Sequence, residues 1–253
     1  MTPILMLAIG LSMFATAFLS GIFGMAGGMI LIGILLALLP LPTAMVLHAV
    51  TQMASNGWRA LLWWRYIRLG AAAGYLTGAA VALVVWSLFR YVPHKAVAML
   101  MLGAIPFLVQ LLPQHLKPDA ERLDHGIVYG LVCMSLLLLT GVAGPLLDRF
   151  FLGGRLDRRE MVATKSLCQV FGHAAKLFYF GGIVAQAASI DVTMMLIAIT
   201  AAITGTTVAR RFLEAMSNTQ YRTWTNRIIN SVCGYYVLQG SYLLIAPLMW
   251  RLL

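Results

Sequence analysis

The sequence predicts an all-α fold: a polytopic transmembrane helical bundle built from two inverted repeats, each a re-entrant helical hairpin plus three spanning helices. Three observations lead there: the composition, the spacing of charge and an internal echo. Of 253 residues, 61% are hydrophobic and only 10% charged, with mean hydropathy +0.87. A water-soluble domain is nearer half apolar and a quarter charged, and a disordered chain is more polar still. Residues 1–58 carry no formal charge, and 69–89, 96–116, 126–147, 177–190, 192–209 and 228–250 are further uncharged runs. A spanning helix needs roughly 20 apolar residues, so these runs hold about seven to nine membrane segments.

The two halves echo each other. The first carries Gly21, Gly24, Gly27 and Gly28, an apolar arm to Leu39, a turn at Pro40–Pro42, and a helix with Thr51, Gln52, Asn56 and Trp63. The second carries Gly141, Gly144 and Pro145, an arm to Phe151, a turn at Gly153–Gly154, and a helix with Thr164, Lys165, Gln169 and Lys176. An offset of 113 residues lays Thr51 on Thr164, Gln52 on Lys165, Asn56 on Gln169 and Trp63 on Lys176. So long a repeat suits a duplicated carrier and not a solenoid.

Taken in order, residues 4–39 come first. As one straight helix they would run roughly 54 Å against a hydrocarbon core of about 30 Å, so the chain must break near Gly24–Gly28. It either folds back as a hairpin or crosses once with an interruption. The hairpin places three spanning helices after it, near 45–65, 70–90 and 94–113, and the second half repeats this near 161–182, 191–209 and 221–249. One side then collects Arg65, Arg68, Lys117, Arg122, Arg155, Arg158, Arg159, Arg210, Arg211 and Arg222, while the other receives Arg90, Lys95 and Arg251. A single crossing would split these residues eight to five, so the positive-inside rule favours the hairpin. Three crossings per half invert the second half relative to the first, with the basic side cytoplasmic and both termini outside. Residues 1–115 are then the first repeat, 116–125 a short cytoplasmic linker and 126–253 the second repeat, in the inner (plasma) membrane.

Several classes are excluded. The net charge of +10 lies beside membrane segments, where topology demands it, and no basic stretch is long enough for a nucleic-acid domain. Cys133, Cys168 and Cys233 sit in apolar runs without CxxC spacing and read as buried hydrophobes. The histidines show no ligand spacing, so no metal or other cofactor is expected. The N-terminus lacks a basic signal-peptide region and reads as a retained first helix. No hydrolase or phosphate-binding motif is present, so the chain is not expected to be an enzyme, and energy must come from a gradient.

Non-helical backbone inside a membrane survives only where it is buried in protein or lines a polar cavity. The glycines at 21, 24, 27 and 28 could pack helices closely, but a second cluster at Gly141, Gly144 and Pro145 favours broken tips. A helix starting at such a tip aims unpaired N–H groups and partial positive charge inward, which attracts an anion. Lys165, Gln169, His173 and Lys176 share one helical face. Lys165 either snorkels to the cytoplasmic side or joins the site, His173 reads equally as a satisfied core histidine, and Lys176 lies deeper. Thr51, Gln52, Ser55 and Asn56 offer neutral donors, with Arg59 one turn on, either in the site or at the cytoplasmic end. Asp148 reads as the local partner of Arg149 in preference to a carrier of coupling protons, and Asp191 as a helix cap.

The run Gly21–Gly28 with its apolar arm, Ala49-Val50-Thr51-Gln52 through Asn56, and Ala163 through Lys176 resemble the sulfite exporter TauE/SafE family of membrane permeases. The resemblance runs from about residue 8 to 245. Pro145, Asp148 and Arg149 depart from it, standing where that family tends to be glycine-rich and apolar. The resemblance implies a secondary transporter of sulfite, a sulfonate or a related small anion, often outward. The fold equally suits an importer or a carrier of another small anion, and less readily a non-transporting subunit. The expected partners are that anion, the lipid bilayer, and a proton or sodium ion for coupling. The substrate-binding residues expected are Gly24, Gly27, Gly28, Thr51, Gln52, Asn56, Arg59, Gly141, Gly144, Thr164, Lys165, Gln169, His173 and Lys176.

Overall fold

The computed structural model describes residues 2–23, 26–92, 94–111, 113, 119–152, 156, 158–183 and 192–249. Among them are ten α-helices and no strand. In the first half these are α1 (Pro3–Phe23), α2 (Ala26–Leu38), α3 (Leu41–Leu62), α4 (Leu69–Phe89) and α5 (Lys95–Gln110). The second half has α6 (Leu123–Thr140), α7 (Gly144–Leu152), α8 (Arg158–Phe178), α9 (Val192–Ala215) and α10 (Asn218–Met249). A short 3₁₀ turn follows α3 at Trp64–Tyr66, and a π turn follows α8 at Tyr179–Ile183.

The break expected near Gly24–Gly28 falls between Phe23 and Ala26, and α2 folds back on α1. The fold-back depends on Gly27, where a Cβ would collide with the Thr16 carbonyl and with Ser20. Pro40 and Pro42 sit at the N-terminal end of α3, where a missing N–H costs nothing. Gly141 ends α6 with φ +85°, a left-handed cap that favours glycine. Asp191 and Gly24 lie outside the described residues.

Among the described residues, four helices are long and apolar enough to cross a membrane: Pro3–Phe23, Leu69–Phe89, Leu123–Thr140 and Val192–Leu213. Their outward faces expose Ile4, Leu7, Val84 and Leu88, the arrangement expected of a lipid-facing surface and the reverse of a soluble protein. The buried polar residues concentrate instead on α3 and α8, which carry His48, Thr51, Gln52, Asn56 and Arg59, and Thr164, Lys165, His173 and Lys176. The three cysteines are free and buried.

Packing follows a repeating scheme. α4 lies along α6 in parallel, through Gly74 and Gly78 on one helix and Gly126 and Gly130 on the other. This small-xxx-small spacing on both partners lets the backbones touch. α1 lies along α9 in the same parallel sense, with Gly10 against Ile197 and Gly21 against Thr206 and Ala209. α3 runs antiparallel to α8, His48 meeting Lys176 and Gly57 meeting Val170, and α5 runs antiparallel to α10, Leu100 meeting Gly240 and Gly103 meeting Val237. Exchanging α1 with α6, α2 with α7, and so on through α5 with α10, converts the α1–α9 contact into the α4–α6 contact. The same exchange maps α3–α8 and α5–α10 onto themselves.

Backbone contact at the α4–α6 seam makes a direct test. Gly130→Ala drives a methyl group into the Tyr75 carbonyl and is expected to cost about 2 kcal/mol. Gly70→Ala, which meets nothing within 4 Å at the start of α4, is expected to leave stability unchanged or slightly raised. Thermal unfolding of the two detergent-solubilised variants checks the contrast.

Candidate functional site

Each break exposes two kinds of helix end. The last carbonyls of α1 and α6 lack intrahelical partners and carry partial negative charge, while the first N–H groups of α2 and α7 carry partial positive charge. Between the two breaks lies a small cavity of about 30 Å³. The first half contributes Gly28, His48 and Gln52 to its wall. From the second half come Val142, Ala143 and Gly144 at the α6–α7 break and Gln169, Gly172 and His173 on α8, with Tyr75 of α4 closing one side.

Three polar atoms on this wall have no hydrogen-bond partner among the described residues: Gln52 Nε2, Gln169 Oε1 and His173 Nδ1. A buried polar group left without a partner costs about 1–3 kcal/mol, so three around one small space mark a place built for a polar guest. Gln52 offers an N–H donor. The Gln169 amide presents donor or acceptor according to its flip, and His173 does so according to its tautomer.

Two cations stand behind the cavity at the carbonyl ends of the broken helices. Arg59 donates from Nη2 to the Ser20 carbonyl, in the last turn of α1, at 2.9 Å, and its Nη1 lies 3.5 Å from Asn56 Oδ1. Lys176 donates from Nζ to the Gly141 carbonyl, at the end of α6, at 3.1 Å, and meets His48 Nδ1 at 2.6 Å. The other nitrogen of that ring, His48 Nε2, lies 2.9 Å from the Gly28 carbonyl. A carbonyl only accepts, so Nε2 carries the imidazole proton and Nδ1 receives from Lys176. The His48 and His173 rings meet edge to face with centroids 5.4 Å apart.

Lys165 plays a different part. It pairs with Asp148 of α7 and ties that short arm to α8. Among the described side chains Asp148 thus has a partner 17 residues away on α8; the side chain of Arg149, its expected neighbour partner, lies outside the described ones.

The remaining expected residues are placed as follows. Gly28, Gln52, Gly144, Gln169 and His173 line the cavity; Gly141 and Lys176 adjoin wall residues, Arg59 reaches Ser20 and Asn56 outside the wall, and neither lysine is on the wall. Thr51 spends its hydroxyl on the Leu47 carbonyl, and Asn56 donates to the Gln52 carbonyl. Thr164 accepts from the Arg68 backbone N–H at the α3–α4 corner. Gly27 serves the α1–α2 fold-back. Trp63 lies beneath the guanidinium groups of Arg159 and Arg210, 5.8 and 5.9 Å from its ring centre.

Around the two breaks the helix ends lie 117 or 118 residues apart, as Phe23 and Thr140, Ala26 and Gly144, and Leu41 and Arg158 do, whereas Leu38 and Leu152 lie 114 apart and Leu69 and Val192 lie 123 apart. An offset of 117 matches Gln52 with Gln169, Asn56 with His173 and Arg59 with Lys176, which agrees with the parallel duties of the two cations. His48 was missed in the sequence because the histidines were searched for metal spacing. It lies one turn before Gln52 on the same face of α3, and the four-residue stepping applied to α8 finds it there.

The family model described as sulfite exporter TauE/SafE matches residues 8–233. A comparison with curated proteins and another with solved structures each give no match.

The Lys165–Asp148 pair predicts coupling between α7 and α8. Asp148→Asn and Lys165→Met are each expected to lower stability. A double-mutant cycle in detergent should return an interaction of about 2 kcal/mol, since both partners are largely shielded from solvent. Additive effects would mean that the pair does not hold the arm.

Proposed function

Because the chain belongs to the sulfite exporter TauE/SafE family, we propose that it is a secondary transporter that exports a small anion, sulfite or an organosulfonate, across the inner membrane by alternating access. Two inverted repeats form the machine, residues 1–115 and 126–253 joined by a cytoplasmic linker. The exchange of helix contacts between halves supports this reading, and so does direction: neighbours that swap under a two-fold yet run antiparallel, as α3 and α8 do, need an axis perpendicular to themselves. With helices along the membrane normal, such an axis lies in the membrane plane.

The observation that carries the function is the convergence of Gln52, Gln169 and His173, each with an unpartnered polar atom, on a space between the N-terminal ends of α2 and α7. Helix N-termini supply positive potential without a hydrated side chain, and the amides orient oxygens. The cavity of the described state is small, about 30 Å³. Loading therefore requires an arm to move. α7, nine residues long and joined to α8 by the Lys165–Asp148 pair, is the part that gives way. The substrate anion then takes up the three orphaned polar atoms.

Proteoliposomes carrying the purified protein test this through counterflow of labelled sulfite and methanesulfonate. Saturable exchange of at least one is expected. Gln52→Ala and Gln169→Ala should each weaken apparent affinity about tenfold or more, because a hydrogen bond to a charged group contributes about 1.5–3 kcal/mol. Absence of saturable exchange for every small oxyanion in a wider panel contradicts the reading.

A further inference from the structure

The two cations behind the cavity differ in one chemical respect. Arg59 donates to the Ser20 carbonyl and the Asn56 amide oxygen, and a guanidinium keeps its proton throughout. Lys176, at the matching position of the other half, faces an imidazole nitrogen in addition to its carbonyl. Two basic groups that share a 2.6 Å hydrogen bond hold at most one extra proton between them. Lys176 is fully buried, and no carboxylate among the described residues pairs with it.

The surroundings bear on that proton. On the elements packed around the dyad, α8 adds His173 and Lys165, and α7 adds Asp148, which Lys165 already occupies. α4 adds Tyr75, α6 adds Cys133, and the π turn adds Tyr179, whose hydroxyl donates to the Tyr91 carbonyl. α1 and α2 contain no charged residue, and those of α9 lie at its far end. The counter-charge for a proton on the dyad is therefore an anion in the cavity, against which His48 itself forms the wall.

We infer that Lys176 and His48 form a proton site that loads together with the anion, so that each anion crosses with one proton. This rests on the anion-carrier reading above and names its coupling ion. The proton arrives from the aqueous side that delivers the anion and resides on Lys176 Nζ, while the His48 Nδ1 lone pair accepts its hydrogen bond. It departs when the anion leaves and the counter-charge is lost. His48 Nε2 meanwhile stays bonded to the Gly28 carbonyl and Lys176 to the Gly141 carbonyl, so the loaded dyad links both breaks. The permanent charge on Arg59 sets the resting potential of the site, and the dyad supplies the charge that comes and goes.

Calorimetry on the detergent-purified full chain tests the inference, with methanesulfonate, which takes no proton itself, and with sulfite in alkaline buffer, where it is already deprotonated. Titration in buffers of different ionisation enthalpy reads proton uptake directly. About one proton per bound anion is expected for the unaltered protein, with affinity falling about tenfold per pH unit once the free dyad has lost its proton. Lys176→Gln and Lys176→Arg, one removing and one fixing the charge, should each bind with no proton uptake, and either suffices to place the site. Anion binding without proton uptake in the unaltered protein overturns the inference and leaves the carrier reading standing, as does undiminished uptake in both variants. Failure of both anions to bind removes the carrier reading and this inference together.

Discussion

A helix broken inside a protein presents two ends of opposite polarity at one place, and the rest of the described molecule is arranged around that fact. The carbonyl ends of α1 and α6 and the N–H ends of α2 and α7 cannot all remain bare in a low-dielectric interior. Arg59 and Lys176 close the carbonyl ends. The N–H ends are left to face a small polar cavity. Two buried cations and the unpartnered amides of Gln52 and Gln169 thus follow from the same pair of breaks.

That constraint also explains which helices are polar. α1, α4, α6 and α9 turn apolar faces outward and pack on one another through glycine, so their long central stretches are apolar and charge is confined to the ends of α6 and α9. α3 and α8 are the helices that touch both breaks, and their inward faces carry the polar residues. Opposite faces of the same fold therefore follow opposite composition rules. The long basic ends that flank the bundle are held by aromatic contacts, as where Arg159 covers Trp63 and Tyr66, and stay away from the cavity.

The sequence made the breaks legible because length arithmetic is unforgiving: 36 apolar residues do not fit a bilayer as one helix. Four-residue stepping likewise found the α8 face, and the cavity wall includes two of its members, Gln169 and His173. What it could not supply was register. Aligning Thr51 with Thr164 set the offset at 113, but the Thr51 hydroxyl donates to the Leu47 carbonyl one turn away while the Thr164 hydroxyl accepts from the distant Arg68 N–H, so the two have no common duty, and the helix ends at the breaks lie 117 or 118 residues apart. Ion pairing was equally hidden, since the partner of Asp148 lies 17 residues away on another helix. His48 is a tertiary residue in the same sense, made significant by Lys176 across the α3–α8 interface.

The central claim, that both breaks together hold one anion, is tested most directly by locating the anion. A brominated short sulfonate, soaked into crystals of the protein in a lipid phase and found by its anomalous scattering, gives the position without assumption. The account predicts the sulfonate group between the starts of α2 and α7, within hydrogen-bond reach of Gln52 and His173, with the bromine directed along the cavity axis. An anion found instead at the Arg159–Arg210 end of the bundle, with the space between the breaks unchanged, would contradict it.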